Sequence, residues 1–183
     1  MATTTETKTI IKPYSSNVYN AVNHTLRLAT QKFAERNAQP LVNTIIRDCF
    51  LKHHTEADFS ASLIHRHYDL SPDERNVEAD GKAVASKDLD GLYPSSWMFY
   101  EGKCYPYEYK RYPVPQPSEE FVEEYGKVLE KAGFCDLIGF QTYTDGVVGL
   151  ESTENNVSTT VEQDEKLPVP EGMAPASWAF FRV

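Results

Sequence analysis

Cysteine is scarce in this chain, and its placement argues against a structural use of sulfur. Cys49, Cys104 and Cys135 are far apart and odd in number, which fits neither a disulfide framework nor a paired-cysteine zinc site. Reduced thiols are the expectation. Clustered positive charge is also lacking: the net charge is -9, the pI is near 5.0, and the longest basic clusters are pairs such as Lys110-Arg111. Such a surface offers no footprint for a phosphate backbone or an anionic membrane, so neither nucleic acid nor a membrane is an expected partner. No apolar run approaches the roughly 20 residues that a spanning helix needs. The start, Met1 to Lys8, is polar and lacks the apolar core of a signal peptide. A cytoplasmic protein is expected. No glycine-rich phosphate loop, Gly-x-Ser-x-Gly elbow or helical His-Glu-x-x-His is found, so no motif fixes a reaction.

What is there is the composition of one ordinary globular domain, 183 residues at 40% hydrophobic. After a loose tail over residues 1 to 8, Thr9 to Lys12 predicts a short edge strand. Ser15 or Ser16 caps a helix whose apolar positions Val18, Val22, Leu26, Ala29 and Phe33 recur at helical spacing, ending near Asn37. Pro40 opens a second helix with Leu41, Val42, Ile45, Ile46, Cys49 and Phe50 as its buried stripe. Ser118 caps a third, with Glu119 and Glu120 complementing its dipole and Gly133 stopping it. Between and after the helices, turn signals at Ser71 to Glu74, Asp80-Gly81, Glu101-Gly102 and Asp145-Gly146 mark hairpins, and residues 164 to 175 read as a surface loop. The expected class is α+β, with three helices packed on a mainly antiparallel sheet.

Within that sheet, Ser62 to Leu70 carries His65 and His67. On a strand, alternate side chains share a face, so both imidazoles point the same way. If the Ser71 to Glu74 turn sets an antiparallel return, His67 opposes Glu78. His65, His67 and Glu78 are therefore the candidate site, and two chemistries fit it. An imidazole tuned by a carboxylate moves a proton in a small-molecule site of isomerase or dehydratase type, with no cofactor. Alternatively, the two imidazoles and Glu78 hold a divalent metal. A third reading is non-catalytic: the tyrosine-rich hairpin and the stiff Tyr112 to Pro117 connector, within residues 97–117, form a protein contact surface. His53-His54 closes the second helix, where partial positive charge is favourable.

The segments Pro94 to Tyr100 and Pro175 to Phe181 share the pattern Pro-x-Ser-Trp-x-Phe-aromatic and contain both tryptophans, Trp97 and Trp178. The helices beginning Leu41-Val42 and Phe121-Val122 correspond at about the same offset, and Leu63-Ile64 falls near Leu137-Ile138. Two related halves, about 40–105 and 118–183, are the expectation.

Three resemblances follow from these residues. The His65-x-His67 strand resembles the cupin metal site, although cupins place their glutamate only a few residues after the second histidine, whereas Glu74 and Glu78 come later here. Leu63 to Leu70 followed by Pro94-Ser95-Ser96-Trp97 resembles a pattern in small fungal proteins of uncharacterised function, which implies a fungal cytosolic protein and no particular activity. The order of helix pair, hairpin, helix and final meander resembles the cone-shaped nuclear-transport-factor-2-like fold, which hosts small-molecule dehydratases and isomerases. That last likeness is one of fold alone.

Overall fold

The computed structural model describes residues 10–79, 82–143, 147–154, 157–164, 168 and 176–181. The tail over 1–8, the turn residues Asp80-Gly81 and Asp145-Gly146, the Asn155-Asn156 link and most of the loop over 164–175 lie outside the described residues.

Helix α1 (Ser16–Asn20) starts at Ser15, whose hydroxyl accepts the Val18 N–H, and α2 (Leu26–Glu35) starts at Thr25, whose hydroxyl accepts the Leu28 N–H. The spacing predicts one helix across both. Instead Thr25 provides a second N-cap, and the carbonyl of His24, freed by the break, accepts the Arg66 N–H at 2.7 Å. A continuous helical run follows: α3 (Gln39–Leu41) with Pro40 in its first turn, a π-helical turn Val42–Ile46, and α4 (Arg47–Lys52). The wide turn rotates the stripe, so Val42, Ile46, Cys49 and Phe50 are buried while Ile45 is 45% exposed. Helix α5 (Glu119–Ala132) has the expected ends: Ser118 accepts the Phe121 N–H, and Gly133 closes it at φ 75°, a left-handed conformation that glycine adopts without strain.

The strands are β1 (Phe59–Leu63), β2 (Arg75–Ala79), β3 (Lys82–Ser86), β4 (Tyr93–Tyr100), β5 (Lys103–Lys110), β6 (Ile138–Thr142), β7 (Val147–Glu154), β8 (Val157–Asp164) and β9 (Ser177–Trp178). Among the described residues they form one sheet in the order β7-β8-β3-β2-β5-β4-β6-β1-β9. Pairing is antiparallel except for β2 beside β5. The class is α+β, as expected. The β2–β3 and β4–β5 hairpins form at the predicted turns.

Two predicted pairings do not form, for one reason. A strand has two hydrogen-bonding edges. Those of β1 go to β6 and β9, so β2 cannot return along it, and the strand expected over Ser62 to Leu70 ends at Leu63. Those of β6 go to β1 and β4, so β7 pairs with β8 instead of folding back at Asp145-Gly146. Ile10 to Lys12 adds a short parallel contact on Cys104, with Lys12 N–H donating to the Cys104 carbonyl at 2.8 Å.

Alternation along β4 separates two cores. Trp97 and Phe99 join Phe50, Phe121, Tyr125 and Phe140 under α3, α4 and α5. Met98 joins Tyr19, Ile64, Tyr68 and Tyr107 on the opposite face, under α1. Gly139 lies where the two meet: a Cβ there would overlap the Trp97 carbonyl oxygen and come within 2.5 Å of Ile64 Cδ1. Trp97 pairs with Phe140 inside the sheet, whereas Trp178 pairs with Ala61 at its edge. Leu63 stands directly opposite Ile138.

Candidate functional site

Past Leu63 the chain leaves the sheet and runs irregularly to Leu70, held by contacts that do not depend on a ladder. Ile64 N–H donates to the Leu137 carbonyl at 2.9 Å and the Tyr107 hydroxyl donates to the His65 carbonyl. Asn20 brackets Leu70, its Nδ2 donating to the carbonyl at 2.8 Å and its Oδ1 accepting the N–H at 3.0 Å. Each of these satisfies a main-chain group that a strand would have paired.

His65 and His67 meet, although not as strand neighbours: their ring centroids are 4.8 Å apart and the rings are nearly perpendicular. His65 Nδ1 lies 3.0 Å from the Leu63 carbonyl and so carries its proton there, because a carbonyl only accepts. His67 Nε2 lies 3.2 Å from Glu108 Oε1, and the imidazole is only 2% exposed. Glu108 is also met by Asn76 Nδ2 on Oε1 and by the Ser96 hydroxyl on Oε2, both at 3.0 Å, and the Tyr68 hydroxyl donates to Asn76 Oδ1. Three donors thus converge on one carboxylate, with a fourth group one step behind.

Sheet irregularity makes this convergence. The β4–β5 register shifts on both sides of Ser96, skipping Ser95 and Tyr107, and Ser96 stands opposite Glu108. Bulges of this kind re-aim side chains. Glu78 takes a different place: it stands opposite Ala83 on β3 and Lys110 on β5, with its carboxylate 3.8 Å from Lys110 Nζ. The predicted register would have put it against His67, but β2 does not pair with the histidine segment, and Glu108 occupies that role. Glu108 is the sole acidic residue from Lys103 to Lys110. Its oddity in an aromatic strand was the available signal. His65, His67 and Glu78 do not form a metal-ligating group; among the described residues the set close enough is Cys49, His53 and Glu124.

Beside His67 a recess of about 410 Å³ opens to solvent, lined by Asn23, His24, Thr25, Arg66, His67, Tyr68 and Asp69. Arg66 is fixed there, donating from Nη1 to the Asn20 carbonyl at 2.6 Å and pairing with Asp69 at 2.9 Å. Burial holds the His24 imidazole below its ordinary range, with Lys32 Nζ 3.2 Å from Nδ1 adding to the effect, which favours the neutral ring. Burial raises the Tyr19 and Tyr109 hydroxyls, the Glu108 charge adding at Tyr19, so both stay protonated. In the hairpin, Tyr107 and Tyr109 are buried while Tyr100 and Tyr112 are exposed. Tyr107 stacks on Tyr19 and Tyr109 meets Tyr14 edge-on.

No family model matches this chain, and no curated protein or solved structure is similar to it. No helix among the described residues is long and apolar enough to cross a membrane.

Proposed function

We propose that this protein binds a small polar molecule in the recess between Asn23–Thr25 and Arg66–Asp69, and that His67, held by Glu108, is its proton-handling group. The observation that carries the reading is the juxtaposition of a histidine–carboxylate pair with a recess of ligand size whose lining brings together two imidazoles and a guanidinium. Arg66 supplies donors for a carboxylate or hydroxyl on the ligand. A histidine held on a carboxylate is the kind of pair that isomerase or dehydratase chemistry uses. The cytosolic location and fungal source that the sequence implies belong to the same proposal, as do the duplicated halves. In support of duplication, the Trp97–Phe140 and Trp178–Ala61 pairings exchange under nearly one shift, since 178 less 97 is 81 and 140 less 61 is 79.

The test is a nuclear magnetic resonance screen of small carboxylates and polyols against the labelled protein. Shifts grouped at residues 23–25 and 66–69, weakened about tenfold or more in Arg66→Ala, support the proposal. No shift there with any member of the set, while the protein remains folded, overturns it. A second reading rests on the exposed run over 111–117, where Tyr112 is 54% exposed and Gln116 pins the connector by donating to the Pro94 carbonyl at 3.0 Å. In that reading the segment docks on a partner that accepts an extended proline-rich strand. Binding of a proline-groove domain to the wild type and not to Tyr112→Ala would favour it.

A further inference from the structure

A second histidine–glutamate contact lies outside that recess, where α4 faces α5. Cys49 lies on α4 and His53 caps its C-terminus one turn later, its N–H donating to the Cys49 carbonyl at 3.2 Å, so the two share a face. Glu124 reaches them from α5, with Oε2 2.9 Å from His53 Nε2. One ligand atom from each of the three lies within 4.8 Å of both others. We propose that Cys49, His53 and Glu124 form a binding site for a divalent zinc ion.

Thiolate, imidazole and carboxylate are the ligands zinc takes, at bond lengths of about 2.0–2.3 Å, so atoms this close need only small adjustments to share one ion. Three protein ligands leave a fourth position. Solvent reaches it from the Glu124 side, which is 36% exposed, whereas Phe50, Phe121 and Tyr125 pack on the inner side. Burial, helped by the Glu124 charge, pushes the Cys49 thiol up to about 12, so sulfur is protonated in the metal-free protein. Zinc entering the site forms the S–Zn bond as the S–H bond breaks and one proton passes to solvent. The thiolate and the carboxylate together then balance the ion's two charges.

Lys52 is both a competitor and a support. Its Nζ lies 2.7 Å from each Glu124 oxygen. Zinc takes the oxygen nearer His53, and Lys52 keeps the other, where it orients the carboxylate as outer hydrogen-bond partners of metal ligands do. Helix spacing alone carries two of the three ligands, Cys49-x-x-x-His53, whereas Glu124 lies 71 residues from His53.

Cobalt(II) is the probe, because bonding to a thiolate gives a near-ultraviolet charge-transfer band. Titrating the full chain should produce that band at stoichiometric cobalt, and zinc should abolish it. Cys49→Ser should remove the band, Cys135→Ser should keep it, and His53→Gln and Glu124→Gln should each weaken binding by about tenfold or more. Glu124 and its variant lie at the surface, so that arm holds even if Cys49→Ser does not fold. No band in the wild type overturns the proposal. So does a band lost in Cys135→Ser, or an affinity unchanged in both His53→Gln and Glu124→Gln.

Discussion

His53–Glu124 and His67–Glu108 are similar contacts, at 2.9 and 3.2 Å, in opposite settings. The first joins two helices, its imidazole 9% exposed and its carboxylate 36% exposed, with Lys52 on the same carboxylate. The second stands against the sheet, with Ser96 and Asn76 as further donors and the imidazole 2% exposed at the base of the recess. A carboxylate open to water on one side is partly screened there and can be shared with another cation. A buried pair is little screened, so removing a partner strands the rest. The same two residue types thus give an adaptable site in one place and a fixed one in the other.

The largest effect is expected where the two settings share a wall. Gly139→Ala drives a methyl into the Trp97 carbonyl and Ile64, and should cost about 3 kcal/mol, the upper end for overpacking, read by urea unfolding. A cost below about 1 kcal/mol would show that β4 and β6 separate easily and that neither pair depends on their close approach. Glu108→Gln replaces an acceptor oxygen with an amide that faces donors, and should cost about 2 kcal/mol. Glu124→Gln, the matching change at the other pair, should cost clearly less than Glu108→Gln, because its carboxylate is partly open to solvent. Equal losses at the two sites would erase the comparison. Ser118→Ala removes the cap of α5 and should cost about 1 kcal/mol, loosening Glu124 while leaving Glu108 untouched.

Acid should separate the regions further. His24 is held below the ordinary value of 6.5, so the folded protein takes up its proton less readily than the unfolded chain. Stability is therefore full above about 6.5 and falls as pH drops toward the folded value, and His24→Asn should remove this limb. Lys52 first, and then His53, hold the Glu124 carboxyl below its ordinary 4.5, which adds stability above that value and loses it at lower pH. Added salt should shrink this second limb, because the group is exposed. Thermal unfolding from pH 7 to 3 at two salt concentrations reads both.

Local chemistry made some elements legible. Helix α5 was bounded by Ser118 and Gly133 because caps act within one turn, and the β4–β5 hairpin by Glu101-Gly102, both at positive φ, because tight turns set their own register. What escaped was set by distant partners. The end of β1 at Leu63 depends on β6 and β9 having taken its edges. His65 and His67 were expected on one face of a strand; they meet instead in an irregular segment past Leu63, and the carboxylate of His67 comes from β5 across a bulge and not from β2. Strand period gives faces, but only the completed sheet says which strand lies alongside.

The most direct test of the contrast is histidine-ring nuclear magnetic resonance of the full chain during zinc addition. The account predicts that the His53 ring signals move with stoichiometric zinc while those of His65 and His67 stay in place. Movement of His65 and His67, with His53 unchanged, would contradict it.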